Sequence, residues 1–117
     1  MSNLADEAII LARKGEPTID QQEWQALLDT LPGWEISRQD GVDKLTREYG
    51  FRDYLVLLDL AIKIGRIAEQ ANHHPVIVIE WGKATVSWWT HTLGGLHRND
   101  FIMAAKCDRA AKLVSAP

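Results

Sequence analysis

The sequence predicts an α+β domain in which a four-stranded antiparallel sheet carries three helices on one face, in the order α-β-β-α-β-β-α. Three observations support this prediction. Two pairs of β-rich segments are each joined by a short turn, a long segment of helical periodicity separates the pairs, and further helical segments flank them. With 117 residues, the chain has room for one core and one layer of helices over a sheet.

The N-terminal residues look like an addition to this domain. Residues 4–13 are expected to form a short helix, because Gly15 and Pro17 follow as helix-ending residues. We therefore predict an N-terminal extension over residues 1–17 and a single main domain over residues 18–117.

The first helix and the first hairpin of the main domain come next. Thr18 or Asp20 can cap the helix, in which QQEWQALLDTL places apolar residues on one face until PGW at residues 32–34 ends it. The segments WEIS and KLTREYGF then alternate around an Asp-Gly pair, which favours a tight hairpin turn.

A long helix is predicted from Asp53, where apolar residues begin to recur at three and four positions. Its predicted buried face consists of Tyr54, Leu57, Leu58, Ala61, Ile64, Gly65, Ala68 and Ala71. Pro75 then excludes a helix, and the runs VIVIEW and ATVSWWTH are predicted to form the second hairpin. The last helix is predicted over residues 98–114, with an apolar stripe of Phe101, Ile102, Ala105 and Leu113.

The second hairpin also bears on assembly. Because VIVIEW has apolar residues at both alternating positions, we expect this strand to be buried on both sides. A homo-oligomer would achieve this by pairing edge strands or by covering the bare face of the sheet. Trp88 and Trp89 are adjacent, so one should lie in the core and the other outside it.

Composition excludes several classes of function. A net charge of −3 and a pI near 5.7 give no basic face, so direct binding of nucleic acid is not expected. Neither a membrane span nor a secretory leader is recognisable, and we expect a cytoplasmic protein. Cys107 is the single cysteine, and its position in a helical pattern predicts a small buried thiol.

Three of the four histidines lie at the ends of the predicted second hairpin. His73 and His74 stand directly before Pro75, and His91 closes the following strand. If the strands pair across a turn near Gly82, their outer ends meet, and the three imidazoles lie at one rim of the sheet.

Three interpretations of this group remain open from the residues alone. Zinc binding is one, although adjacent ligands rarely reach one ion and no HExxH or CxxC motif is present. Acid–base chemistry on a small molecule and ordinary structural hydrogen bonding are the others. Asp100 would be the third residue of the last helix if His97 caps it, and Glu69 lies one helical turn before His73.

The spacing of these residues resembles the signature of the pterin-4a-carbinolamine dehydratases, over roughly residues 18–114. The matching positions are Glu69, His73, His74, Pro75, Trp81, His91 and Asp100, and the segment THTLGGLHRNDFIMAAK is similar to the family's sequence there. At His97 the family usually has Ser or Thr, and many members are more polar than VIVIEW after the proline.

The resemblance implies a dehydratase that removes water from 4a-hydroxytetrahydrobiopterin, or a related 4a-hydroxytetrahydropterin, to give quinonoid dihydropterin. It implies no metal and no organic cofactor, and a homodimer or homotetramer. His73 and His91 are expected to be the acid–base pair, with His74 mainly holding the substrate. The expected substrate-binding and orienting residues are Trp34, Glu69, Pro75, Thr90 and Asp100.

The resemblance also implies a biological setting and one competing function. The reaction would recycle the cofactor spent by aromatic amino acid hydroxylases, and the resemblance implies such a hydroxylase as a partner in the same pathway. Some relatives instead act as dimerisation cofactors for a homeodomain transcription factor, and others assist Rubisco assembly after losing the histidine pair. A non-enzymatic binding or assembly role on the same fold is therefore the alternative.

Overall fold

One antiparallel sheet of four strands, in the order β1-β2-β4-β3, forms the centre of the computed structural model, which describes residues 3–115. A short 3₁₀ helix over Leu4–Asp6 precedes the main elements. These are α1 (Gln21–Leu28), β1 (Glu35–Gln39), β2 (Val42–Gly50), α2 (Tyr54–Ala71), β3 (Val76–Glu80), β4 (Lys83–Trp88) and α3 (Arg98–Ser115). The predicted fold class and element order are confirmed.

Both hairpins turn through two residues, which fixes the register of the sheet. Asp40 and Gly41 connect β1 to β2 with φ angles of 53° and 76°. Two successive positive φ angles match the twist of the flanking strands, and Asp-Gly is a favoured pair for them. The β3–β4 turn uses Trp81 and Gly82, with Glu80 paired to Lys83.

Helix α2 packs on one face of the sheet and against α3. Asp53 caps it by accepting a hydrogen bond from the backbone N–H of Leu55 at 2.9 Å. The predicted buried face is partly right, because the fully or nearly fully buried residues are Leu57, Leu60, Ile64 and Ala68. Tyr54 and Leu58 are instead exposed, since the buried stripe lies closer to Leu60 than the sequence indicated.

The core lies between the sheet and the helices. Its most enclosed large side chains include Trp88, Leu45, Phe101 and Met103. Cys107 is also fully buried and accepts a hydrogen bond from the indole N–H of Trp88 at 3.2 Å. Burial raises the pKa of the Cys107 thiol above its ordinary range, which agrees with the predicted buried, unreactive cysteine.

Two local predictions are wrong, and a third cannot be decided by a single chain. Residues 7–16 are not helical, because hydrogen bonds to α3 hold this segment in an irregular conformation. The expected burial of β3 on both sides depends on an oligomer and stays a prediction: in the single chain, Val76 and Val78 are 45% and 51% exposed and the other face of this edge strand is partly buried. Leu113 is exposed near the end of α3, beyond the sheet.

Within residues 3–115, none of the helices combines the length and the apolar character that crossing a bilayer requires.

The packing of α2 predicts a large difference between two leucines on the same helix. Leu57 is fully buried, whereas Leu55 is 71% exposed. We expect Leu57→Ala to lower the free energy of unfolding by about 2–5 kcal/mol, because it leaves a cavity in the core. Leu55→Ala should change it by no more than about 0.5 kcal/mol. Urea denaturation measures both, and similar losses in the two variants would contradict this packing.

Candidate active site

The end of α2 directs His73 toward the core. Asn72 has a φ of 50°, the left-handed conformation that commonly ends a helix, and the backbone N–H of His73 donates to the carbonyl of Ala68 at 3.1 Å. Pro75 disfavours helical geometry in the residue before it and cannot itself donate a backbone hydrogen bond. The chain therefore leaves the helix within two residues and starts β3 at Val76.

His73 lies between a tryptophan and a carboxylate. Its ring stacks on Trp88 of β4, with ring centroids 5.5 Å apart and planes inclined by 23°. Its Nε2 is 2.6 Å from Oδ1 of Asp100, and only 12% of its side chain is exposed. Trp88 therefore fixes one face of the imidazole, and Asp100 fixes its Nε2.

Asp100 is the most enclosed charged residue of this group, with no exposed surface. Its Oδ2 accepts hydrogen bonds from Thr90 Oγ1 and from the backbone N–H of His97, both at 2.9 Å. His97 in turn accepts the Asn99 backbone N–H at Nδ1, so the predicted cap of α3 is present. With His73, three donors surround the carboxylate, which compensates for the cost of burying its charge.

The loop after β4 brings Thr90 and His91 to this region. Thr90 pairs with Gly95 through two backbone hydrogen bonds, and residues 91–94 form the tight loop between them. A side chain at Gly95 has little space, because its Cβ would lie 2.9 Å from the methyl carbon of Thr18. His91 is exposed on the loop, and its ring centroid lies 4.5 Å from that of Trp89.

The predicted position of His91 at the end of a strand is wrong. Strand β4 ends at Trp88, and Val76 pairs with Ser87, so Pro75 falls opposite Trp88 and not opposite His91. The physical reason is the two-residue turn at Trp81 and Gly82: it pairs Glu80 with Lys83, and in this register the start of β3 reaches only Ser87. His91 instead lies on the loop after β4, where its ring packs against Trp89.

His74 lies on the surface beside Glu69. Its Nε2 is 2.7 Å from Glu69 Oε1, and the two side chains are 52% and 79% exposed. Glu69 therefore contacts His74 and not His73, because the left-handed turn at Asn72 separates His73 from the helical face. Adjacent histidines thus face different surroundings, one enclosed and one accessible.

Trp34 belongs to a second polar cluster that the sequence did not reveal. Its indole N–H donates to Asp108, which also accepts hydrogen bonds from Arg47 and from the hydroxyl of Tyr49. Asp108 is two turns after Asp100 on α3, about 12 Å along the helix. Trp34 is therefore not among the residues that contact His73.

Burial, together with Cys107 and Asp108, raises the pKa of Tyr49, which keeps its phenol protonated. The Asp108 cluster is assembled from residues far apart in the sequence, and only the alternation of Arg47 and Tyr49 in β2 hinted at a shared face.

The described part of the chain has no group of side chains suited to a metal ion, and its two large clefts lie away from the three histidines. Over residues 3–115, no three His, Cys, Asp or Glu side chains are grouped so that they could hold a metal ion. A cleft of about 580 Å³ lies between the N-terminal segment, α2 and α3, and one of about 890 Å³ lies beside the Asp108 cluster. Neither is lined by His73, His74 or His91.

The geometry assigns distinct roles to the two nitrogens of His73. An ionised carboxylate only accepts hydrogen bonds, so the Nε2 that faces Asp100 carries the hydrogen. In the neutral ring, Nδ1 then holds the free lone pair. His73 can therefore take up or release a proton at Nδ1 while Asp100 stabilises its protonated form, as in other histidine–carboxylate pairs.

Comparisons with known proteins point to one family. The model of the family described as pterin 4 alpha carbinolamine dehydratase matches residues 17–110. A Marinobacter nauticus protein, provisionally named a pterin-4-alpha-carbinolamine dehydratase, is 44% identical over 92% of this chain and 97% of its own length. A Syntrophotalea carbinolica protein with the same provisional name is 43% identical over 92% of this chain and 96% of its own.

A solved structure is similar in fold as well. It is a Brucella melitensis protein described as a transcriptional coactivator/pterin dehydratase, with a TM-score of 0.73 and 26% identity. The match covers 80% of this chain and 98% of the Brucella chain.

Removing the charge of Asp100 tests its role as the centre of these hydrogen bonds. In Asp100→Asn, an amide N–H₂ group replaces one of the two carboxylate oxygens. This group cannot accept a hydrogen bond from His73, Thr90 or the backbone of His97. We expect the free energy of unfolding to fall by about 1–3 kcal/mol, because a buried donor loses its acceptor. Asp59→Asn, which removes a half-exposed surface pair with Lys63, should change it by no more than about 0.5 kcal/mol. Equal losses in thermal or urea unfolding would disprove the assignment.

Proposed function

The chain belongs to the pterin 4 alpha carbinolamine dehydratase family, and from this we propose that it removes water from a 4a-hydroxytetrahydropterin. The observation that carries the proposal is the His73–Asp100 pair, in which a nearly buried imidazole is held at Nε2 and keeps Nδ1 for proton exchange. A dehydratase of this kind is a carbon–oxygen lyase.

The reaction requires two proton transfers and no change of oxidation state. The C4a–O bond breaks as the hydroxyl oxygen takes up a proton and leaves as water. A ring nitrogen gives up its proton, and its electron pair forms the new double bond of the quinonoid dihydropterin. One acid and one base acting in concert are sufficient, so the proposed chemistry needs neither a metal nor an organic cofactor.

We assign these two transfers to His73 and His91. His73 is enclosed and oriented, whereas His91 is exposed on the neighbouring loop beside Trp89. Thr90 connects them, since its hydroxyl binds Asp100 and His91 follows it in the chain. Which histidine acts as the acid then depends on the face of the pterin that carries the hydroxyl.

The remaining assignments concern substrate binding. His74 is accessible and paired with Glu69, which suits a group that holds the pterin by hydrogen bonds. Pro75 and Thr90 flank the two histidine-bearing turns, and Asp100 orients His73 from behind. Trp34 is assigned to the pocket wall by the family resemblance alone, since its indole N–H is bound to Asp108.

The proposed setting follows from the reaction. A 4a-hydroxytetrahydropterin is formed when a tetrahydropterin is consumed by an aromatic amino acid hydroxylase, so this protein would act in tetrahydropterin recycling, in the cytoplasm.

A protein-binding role is the second candidate, because one face of α2 exposes apolar side chains. Leu55, Leu58 and Ile62 are 71%, 37% and 55% exposed and recur at helical spacing. The Brucella melitensis relative is described as a coactivator as well as a dehydratase. Coactivation or assembly would use this face and would not need His73.

We also propose a homodimer or homotetramer that uses the edge of β3. This strand has a free edge, and its outward residues Val76 and Val78 are about half exposed. Pairing with the β3 strand of a second copy would satisfy the free backbone groups and bring the outward valines of the two copies side by side on one face of the sheet.

Two histidine substitutions test the dehydratase directly. His73→Ala and His91→Ala should each lower kcat/KM for 4a-hydroxytetrahydropterin dehydration by about 10²–10⁴-fold, because each removes one proton transfer. Gln70→Ala, an exposed change at the end of α2, should leave the rate unchanged. The measurement is the absorbance of quinonoid dihydropterin above the uncatalysed rate. Full activity in both histidine variants would end the enzymatic assignment and favour the binding role.

A charge at the β3 edge tests the proposed assembly. Val78→Lys should lower the mass measured by light scattering during size-exclusion chromatography, because it places charges together between paired strands. Gln39→Lys puts the same charge on β1, the other edge strand, and should leave the mass unchanged. An oligomer that survives Val78→Lys would show that β3 is not the interface.

A further inference from the structure

The N-terminal segment lies along α3 from its start to Arg109 and reaches the residues next to Asp100. We call residues 5–16 the strap. The whole strap lies before residue 17, where the match to the family model begins, so this match assigns nothing to it. It is not helical beyond Asp6, yet its residues contact α3 both at the start and in the middle of the helix.

At the far end, the strap contacts the middle of α3. Lys106 donates to the backbone carbonyl of Ala5 at 2.7 Å, and Arg109 donates to Asp6 at the same distance. Both partners lie more than one turn beyond Asp100. These contacts attach the strap without touching the first turn of the helix.

At the near end, Asn99 is paired with the strap backbone. Its amide N–H₂ donates to the carbonyl of Ile10 at 2.6 Å, and its oxygen accepts the N–H of Ile10 at 3.2 Å. Asn99 is only 4% exposed, so a lost bond here would leave a buried polar group without a partner. The side chain before Asp100 is thus fixed by the strap.

Glu16 fixes the residue at the start of α3. His97 Nδ1 accepts the backbone N–H of Asn99 at 3.0 Å, so in the neutral ring the hydrogen is on Nε2. That nitrogen lies 3.2 Å from Glu16 Oε2, which accepts from it. Glu16 therefore favours the tautomer of His97 that has its hydrogen on Nε2 and leaves Nδ1 free to cap α3. The backbone N–H of Arg13 and the hydrogen bond with His97 hold the pKa of Glu16 below its ordinary value.

We propose that the strap is a positioning element for the candidate active site, acting through His97 and Asn99 on Asp100 and thereby on His73. Residues 97 and 100 exchange two hydrogen bonds, since the His97 N–H donates to Asp100 Oδ2 and the Asp100 N–H donates to the His97 carbonyl. The other oxygen of Asp100 binds His73. A shift of the first turn of α3 therefore moves the group that orients the imidazole. The catalytic part of this inference rests on the proposed dehydratase function.

The test compares three substitutions in the full-length chain. Glu16→Ala removes the acceptor of His97, and we expect kcat to fall about ten-fold with little change in KM, because small misplacements of catalytic groups are costly. Glu16→Gln keeps an oxygen acceptor for the neutral imidazole and should restore most of the rate. Asp6→Ala removes a strap contact at the far end and should leave kcat unchanged.

A second measurement does not depend on activity. The ring N–H proton of His73 that faces Asp100 is observed by NMR and assigned by its loss in His73→Gln. In Glu16→Ala this resonance should shift or broaden, and in Asp6→Ala it should stay as in the unmodified protein. Unfolding midpoints of all variants show whether a change is local or global.

The outcomes separate the two proposals. If the unmodified protein dehydrates no 4a-hydroxytetrahydropterin, the proposed function fails, and the NMR resonance alone decides whether the strap positions His73. If Glu16→Ala changes neither the resonance nor kcat, the strap proposal is overturned. It is also overturned if Asp6→Ala has the same effect as Glu16→Ala, because the strap would then act only through overall stability.

Discussion

The buried carboxylate of Asp100 is the constraint on which the site depends. A charge with no exposed surface is tolerated only where donors surround it, and here three parts of the chain supply them. The end of α2 contributes His73, the loop after β4 contributes Thr90, and the start of α3 contributes the backbone of His97. Each of these segments lies at the end of a helix or strand or in a loop. Because all three donate hydrogen bonds to the carboxylate of Asp100, their positions relative to one another are fixed.

The sheet supplies the second support for His73. Because both hairpins use two-residue turns, the register is fixed and Trp88 lies fully buried beneath the imidazole. Trp88 is itself held by Leu45 across the strands and by the thiol of Cys107. Because this indole has little freedom, it gives His73 a rigid surface to stack on. Packing on Trp88 therefore sets the plane of the imidazole, and the hydrogen bond to Asp100 sets its rotation within that plane.

Local sequence signals were sufficient for the fold and for part of the site. Neighbouring residues decide the Asp-Gly turn, the start of the long helix at Asp53 and the end of helix before Pro75, and the structure agrees at each. The strap and the Asp108 cluster depend on contacts between residues that are far apart in the sequence. The hydrophobic periodicity of single segments does not predict such contacts. The shift of His91 into a loop arose from one turn whose length the sequence left open.

The close contact between Gly95 and Thr18 has a consequence for how the protein matures. The loop that carries His91 is seated against a residue from the beginning of the domain, and Asp100 follows only a few residues later. Bringing such distant positions together is an entropic cost that is recovered only when the last helix docks. The site therefore forms only when α3 docks, and a chain that ended before α3 would lack the carboxylate that holds His73 and Thr90 together.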